Sequence, residues 1–517
     1  MLRVLFKKIA GKILYKHLLL FLLLGFPIYF PLMSLKGGVI PHWYDTAWAL
    51  LLGLENHQKI RLIGYEGGIP GIFYGPHWSW LLSLVQLFSK NPVVITTVVL
   101  FIPYFTFLPF LLYKFKSVFG GLIVALLWLS YILAYYPLSV HLWHVHLAPL
   151  IFLALLYLLI SINWFDLKLI DICKIFLSGF LLSFLVFIHM SFGATQTIAT
   201  TLFISISLGI FAYQSKQQIN HKVFRIITAL IAYGTGFLLC STPFILFELR
   251  HDFRQTKAII FVLTQSILYN SAVVGQLGLS KTEIWQEFLL LPLTILQLPG
   301  KTLIPFWVFI IFMVGYFYGK RQFHFTLLQK RLVTLLSLST FVMLTIYLTS
   351  KNPIWKYHFI GAEISVLLFM GILAAKSRIL TLLLFVWVVW ISTSTLVRTI
   401  TIPAPDPMSL STLNAKQFVV ESIYKNAQNQ PFAVYTYSSA IMTYDYDYLF
   451  AWLGKDKYSY VPGNDPNSNL VYLIIPEATD TLVSNFTNDK TPSSQFETAD
   501  KWKIANGTVV MKRVKKL

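Results

Sequence analysis

Long apolar runs separated by short polar connections constrain this chain more than any of its other features. They occupy 17–35, 92–113, 118–137, 146–162, 174–189, 192–212, 225–246, 302–318, 331–349, 358–375 and 379–397. A helix needs about 20 such residues to cross a hydrocarbon core roughly 30 Å thick. Because lipid satisfies no backbone polar group, each run must satisfy its own, and a helix does so. Charged residues make up 12% of the chain, against about 25% in soluble domains. The sequence therefore predicts a mostly α, polytopic membrane protein with about eleven transmembrane helices. The first run follows a basic flank and lacks the shorter core and small-residue cleavage site of a signal peptide, so it reads as an uncleaved helix.

Charge fixes the expected orientation. A formal net charge of +20 would point to nucleic acid in a soluble chain. Here the basic residues sit between apolar runs, where they orient a membrane protein, and no nucleic-acid partner is expected. The run 78–88 is too short to span and reads as interfacial. Left out of the count, it places Arg3, Lys7, Lys8, Lys12, Lys16, Lys114, Lys116, Lys168, Lys174, Lys216, Lys222, Arg225, Lys320, Arg321, Lys330, Arg331, Lys376 and Arg378 on one side. The opposite short connections 138–145 and 190–191 carry no Lys or Arg. The expected arrangement is a multi-pass protein of the cytoplasmic membrane, with a cytoplasmic N-terminus and with 36–91 and everything beyond Arg398 outside.

Two parts follow. Residues 1–400 form the membrane domain, with outer loops 36–91 and 247–301, the second carrying helices near Gln255–Tyr269 and Lys281–Leu298. After PAPDP the composition turns polar, and 401–517 reads as a small extracytoplasmic α/β domain. It should hold a helix over Ser411–Asn426, strands beginning at Phe432 and Leu470, and a last strand over Trp502–Lys512 with a break at Asn506-Gly507. The two cysteines, Cys173 and Cys240, set no disulfide or metal-ligand spacing.

The loop 36–91 is the best place for chemistry. Asp45 lies about ten residues past the first span, where partial burial would raise its pKa and suit it to general-base work. The residue type equally suits a helix N-cap. Glu66 in GYEGG is a second acid in the same loop, or a solvated turn residue. GIFYGPHW adds Tyr74 and His77 beside a sharp Gly75-Pro76 turn. FELRHDF supplies Arg250 and His251, a side-chain pair able to clamp a phosphate; snorkelling is the plainer role for that Arg. KYHF offers Lys356, Tyr357 and His358 to the same site, or an aromatic interface anchor. His141, His144 and His146 have no zinc-site spacing. In YDYDY, Asp445 and Asp447 point in different directions on a helix and are expected to be structural.

These stretches resemble the GT-C glycosyltransferases, in the subgroup of bacterial membrane proteins similar to protein O-mannosyltransferases and lipid A aminoarabinose transferases. YDTAWALLLG with IPGIFYGPHWSWLL is similar to the subgroup's first-loop pattern, with GPHW where many members have HPPL or GPLY. FELRHDF resembles an FELRHGF-like stretch of related members. The resemblance implies that Asp45 is the catalytic acid that deprotonates or orients the acceptor, where the family often has Asp-Glu and this chain has Asp45-Thr46. It implies a polyprenyl-phosphate sugar as donor and inversion at the anomeric carbon; Tyr74, His77, Arg250, His251, Lys356, Tyr357 and His358 are, by their residue chemistry, the candidate donor-phosphate or substrate contacts. The acceptor is left as protein, lipid or glycan. The residues assign no cofactor, and a divalent metal ion is left open. A transporter or flippase of lipid-linked glycans, or a ligase or polymerase, are the alternatives.

Overall fold

The computed structural model describes residues 28–67, 71–214, 218–268, 278–302, 304, 307–308, 324–350, 353–401, 406–437, 444–465, 467–476 and 479–516. Residues 28–36 are helical, and two helices of the 36–91 loop follow: α1 (Tyr44–Glu55) and α2 (His77–Gln86). Among the described residues, eight helices are then long and apolar enough to cross a membrane. They are α3 (Pro92–Lys114), α4 (Gly121–Ser139), α5 (His144–Ser161), α6 (Leu169–Ile188), α7 (Met190–Gln214) and α8 (Ile219–Arg250). Between α8 and the last two spans lie α9 (Arg254–Leu268) and α10 (Lys281–Ile295). The last two are α11 (Leu327–Thr349) and α13 (Arg378–Thr401), separated by the shorter α12 (Ala362–Ala374).

The chain is thus a polytopic helical membrane protein. Of the expected spans, 17–35 and 302–318 fall largely outside the described residues. The run 358–375 forms a shorter helix, because Lys356–Phe359 is a 3-10 turn and Gly361 adopts φ 108°, so α12 starts only at Ala362. The helix α2 is 10 residues long, about 15 Å at 1.5 Å per residue. That is half a hydrocarbon core, in keeping with an interfacial segment.

Packing between spans follows the rules of a lipid solvent, where small residues let backbones approach. At the α6–α8 contact, a Cβ on Gly179 would collide with the Tyr233 carbonyl, and one on Gly236 with the Phe176 carbonyl. Ser183 and Ser241 add a hydroxyl–hydroxyl bond of 2.8 Å across the same interface. In α3 a π-helical turn at Thr97–Phe101 precedes Pro103, which has no N–H for the usual bond to Val99. The looser turn absorbs that missing donor.

The C-terminal part carries α14 (Leu413–Ala427), β1 (Ala433–Thr436), α15 (Tyr444–Leu453), β2 (Leu470–Ile475), α16 (Asp480–Lys490), β3 (Phe496–Lys503) and β4 (Val509–Lys515). The sheet order is β1-β2-β4-β3. Strands β1 and β2 are parallel, with Ala433 opposite Val471, and β4 is antiparallel to both β2 and β3. Every residue of β2 is buried, which fits a central strand covered on both faces and its unbroken apolar sequence. The expected last strand is two strands, because Gly507 at φ 91° closes a hairpin and Ile504 N–H donates to nothing beyond Thr508 O at 2.8 Å.

This domain is sewn to the 36–91 loop. Leu413 N–H donates to Ile40 O at 2.9 Å and His42 N–H to Ser411 O at 2.8 Å. Tyr448 O–H donates to Lys90 O at 2.6 Å, and Lys90 pairs with Asp456 at 2.5 Å. Buried residues of both parts belong to one continuous apolar core.

Candidate active site

Helix α1 begins at Tyr44 with Trp43 as its N-cap, and the Trp43 side chain makes no capping bond. Asp45 is therefore not the cap that its residue type suits; it lies in the first helical turn. Its position is held from below by close packing of α1 on α2. Gln86 Nε2 donates to Leu50 O at 2.9 Å, and Gly53 leaves the room that the Gln86 side chain fills. Asn56 Nδ2 donates to Ser79 Oγ at 3.2 Å at the other end of the same contact.

Asp45 is half-buried, and among the described residues no group donates a hydrogen bond to its carboxylate. Burial pushes its pKa up to about 6, and the neighbouring Asp445 carboxylate pushes the same way. Near neutral pH such a group exists largely as the base while its conjugate acid remains accessible, the condition a general base needs.

Four phenols surround it. Tyr44, Tyr65, Tyr74 and Tyr357 are all raised by burial first, and the Asp45 charge adds to each. Tyr65 and Tyr74 face each other on a small hairpin, with ring centroids 5.1 Å apart. The hairpin is closed by Tyr74 N–H to Tyr65 O at 3.0 Å and Gly64 N–H to Tyr74 O at 2.8 Å. Tyr74 lies 4.5 Å from the His144 ring, and Trp143 lies 5.2 Å from Tyr357 and 5.7 Å from Trp43. Trp48 stacks on Tyr444 at 5.0 Å. The carboxyl thus stands among aromatic faces, which suit the C–H faces of a sugar ring as well as a lipid head.

The other candidates from the sequence divide by their partners. Glu66 turns back on its own hairpin, where Oε1 accepts from Gly71 N–H at 2.5 Å and the backbone pairs with Phe73. His77 Nε2 lies 2.9 Å from Cys240 O and can only be the donor there, and its ring stacks on Phe187 at 5.1 Å. Burial lowers its pKa, so it is neutral. His251 Nδ1 donates to Phe247 O at 2.8 Å, while Arg250 ends α8 exposed to its surroundings. Lys356 pairs with Glu287 at 2.7 Å. His358 Nδ1 accepts from Trp355 N–H at 3.2 Å, and burial lowers its pKa to about 4.

FELRHDF also serves as a joint. Buried Glu248 accepts from Gln255 N–H at 3.0 Å, Thr256 N–H at 2.8 Å and Thr256 O–H at 2.5 Å, capping α9. Gln255 then grips the Phe73 backbone at both its N–H and its carbonyl, at 3.0 and 3.1 Å. The middle of the chain in this way holds the Tyr65–Tyr74 hairpin. The structure brings together Asp45, Tyr74 and Tyr357. None of the hydrogen bonds or ion pairs of Glu66, His77, Arg250, His251, Lys356 or His358 reaches Asp45.

Several neighbours carried no sequence signal. Tyr65, Trp143 and His144 come from stretches that read as an ordinary loop and a histidine cluster without a motif. His144 Nδ1 bonds Ile188 O and His146 Nδ1 bonds His141 O at 2.7 Å, so these rings are built into the wall. No three His, Cys, Asp or Glu side chains converge as metal ligands among the described residues. Lys416, from the C-terminal domain, was equally silent. The YDYDY stretch was visible, but its neighbour across the fold was not.

Two solved structures share this architecture over nearly its whole length. The crystal structure of ArnT from Cupriavidus metallidurans in the apo state superposes with a TM-score of 0.51 at 9% identity, covering 98% of each chain. The crystal structure of ArnT from the same organism bound to undecaprenyl phosphate gives a TM-score of 0.52 at 10% identity, covering 97% of this chain and 98% of that one. At such identity the likeness is one of fold, and the chain shares the overall architecture of these two structures. No protein-family model matches the sequence, and no curated protein matches it.

Proposed function

We propose that the chain is a membrane glycosyltransferase that moves a sugar from a polyprenyl-phosphate donor to an acceptor nucleophile, with Asp45 as its base. The observation that carries this reading is the full-length likeness of fold to an ArnT structure that holds undecaprenyl phosphate. A half-buried carboxyl without hydrogen-bond donors, walled by aromatic rings, supports it from within the chain.

The chemistry is a single displacement. The acceptor oxygen or nitrogen attacks the anomeric carbon on the face opposite the phosphate. The bond from that carbon to the phosphate oxygen breaks, and polyprenyl phosphate leaves with the bonding electrons. Asp45 takes the acceptor's proton, so the sugar is inverted. In this reading Tyr74 and Tyr357, whose phenols feel the Asp45 charge, contact the sugar.

Negative charge grows on the leaving phosphate and calls for fixed donors. His358 carries its hydrogen on Nε2, because Nδ1 already accepts from Trp355, and can therefore donate there. Arg250, His251 and Lys356 supply cationic or N–H groups on neighbouring elements; Lys356 would exchange Glu287 for the phosphate. Glu66 and His77 contribute by holding the hairpin and the start of α2. The positive-inside pattern supports a site at the outer face of the cytoplasmic membrane, with the C-terminal domain outside.

The test is release of polyprenyl phosphate from a radiolabelled polyprenyl-phosphate sugar by the purified full chain in lipid nanodiscs, with candidate acceptors supplied. Release with covalent labelling of acceptor, lost in Asp45→Asn, is the expected result. Movement of intact donor across vesicles without cleavage would replace this reading with a transporter.

A further inference from the structure

A lysine is rarely buried unless it is paired, yet Lys416 of α14 is only 5% exposed. Its ammonium donates to two acceptors from distant parts of the chain. One is the backbone carbonyl of His42, at 2.6 Å, on the strand of chain that leads into α1 three residues before Asp45. The other is Asp445 Oδ2, at 2.5 Å, in the first turn of α15. Trp48, one turn after Asp45, stacks on Tyr444, the residue before Asp445. The first turns of α1 and α15 are therefore fastened side by side, with Asp45 on one and Asp445 on the other.

We propose that Lys416 and Asp445 are positioning residues of the transfer site: the buried ammonium ties the start of α1 to Asp445 and sets a second carboxylate beside Asp45. The C-terminal domain then does more than cover the membrane domain. It determines where Asp45 stands and when it can take a proton. The inference rests on Asp45 being the base, and it assigns a role to YDYDY beyond the structural one its sequence suggests. Asp447, two residues on, lies on a more exposed side of α15, although burial of its carboxyl and the Asp445 charge push its pKa up to about 6 as well.

The groups facing Asp45 from every packed element are few. Tyr44 lies on its own helix, Tyr65 and Tyr74 on the hairpin and Tyr357 on the KYHF turn, all phenols raised by burial and so neutral. His42, beside Lys416, is lowered by burial to about 3 and is neutral as well. This leaves Asp445, with Lys416 behind it, as the formal charge that acts on Asp45.

Opposite shifts therefore follow from the two partners. Asp445→Asn removes a negative neighbour and uncovers the ammonium, so Asp45 should titrate at lower pH than in the wild type. Lys416→Gln leaves Asp445 uncompensated, so Asp45 should titrate at higher pH. Lys416→Arg keeps the charge and should stay near the wild type.

The measurement is a difference infrared titration of carboxyl groups on the purified full chain in nanodiscs, with Asp45→Asn as the reference that isolates Asp45. It reads Asp45 whether or not a sugar substrate is known. The acid limb of polyprenyl-phosphate release should move with the same sign, and kcat should fall about tenfold in Asp445→Asn with KM nearly unchanged, the mark of a weakened base. If the Asp45 midpoint stays fixed in folded Asp445→Asn and Lys416→Gln proteins, the inference is overturned while the transferase reading stands. If the midpoint moves as expected but Asp45→Asn still releases polyprenyl phosphate normally, the coupling stands and Asp45 is not the base. Should Lys416→Gln fail to fold, Asp445→Asn with Lys416→Arg decides the matter alone.

Discussion

Asp45 and Glu248 are acidic residues in comparable places, each at the end of a helix beside the Tyr65–Tyr74 hairpin, and their surroundings are opposite. Glu248 is fully buried and accepts three hydrogen bonds from the first turn of α9. Asp45 is half-buried and accepts none among the described residues. A carboxylate with its lone pairs occupied by backbone and hydroxyl donors does structural service. One taken out of water without donors is left with a raised pKa, which costs stability and leaves its oxygens open to a substrate proton. The contrast teaches that burial alone does not mark a functional acid; burial without compensation does.

The sharpest way to break the comparison is to neutralise each side. Asp45→Asn should cut transfer by about 10²- to 10⁴-fold, the usual contribution of a general base, measured as polyprenyl phosphate released. It should not destabilise the fold. Because the folded pKa of Asp45, about 6, lies above its ordinary value of 3.8, the folded chain binds this proton more tightly than the unfolded one. Stability from this group is therefore present at low pH and lost as pH rises from near 4 through 6. The Asn variant escapes that loss, and its unfolding temperature at pH 7 should equal or exceed that of the wild type.

The wild-type pH profile should show the matching kinetic sign. Transfer should fall as pH drops through about 6, where Asp45 takes up its proton. A flat profile down to pH 5 would remove the base role. Glu248→Ala should behave the other way. It orphans three donors and should lower stability by about 2–3 kcal/mol, seen as an earlier thermal transition, with transfer per folded molecule reduced far less than in Asp45→Asn.

Smaller effects test the frame. Gly53→Ala puts a Cβ into the Gln86 side-chain amide. The amide would have to leave its bond to Leu50 O, at a cost of about 1–2 kcal/mol. Glu66→Gln keeps an oxygen for Gly71 N–H and should stay within about 0.5 kcal/mol of the wild type, with transfer unchanged. A large loss in Glu66→Gln would make Glu66 a second acid and weaken the contrast drawn around Asp45.

The helical frame was legible because a membrane span is a local property: length and polarity decide it before any partner is known. The same holds for α2, too short to span, and for β2, whose six buried residues are an unbroken apolar word. Even the Asn506-Gly507 break was visible, though its meaning as the turn between β3 and β4 needed the pairing of Trp502 with Val510. The candidate site was legible only in part. Asp45 stood out by its place after the first span, and Tyr357 by its company in KYHF. Local sequence could not say that Lys356 next to Tyr357 faces Glu287 or that Glu66 folds back on Gly71.

By itself, then, the sequence determined the solvent this chain is built for, most of its helices, and a C-terminal α/β unit, because these follow from patterns within one segment. Tertiary structure alone decided that Asp45 is left without donors among the described residues and what stands next to it. Lys416 reaches His42 and Asp445 across hundreds of positions and across 29 respectively. No periodicity records such a bond, because a buried charge is satisfied by whatever the fold brings within 3 Å or so of it.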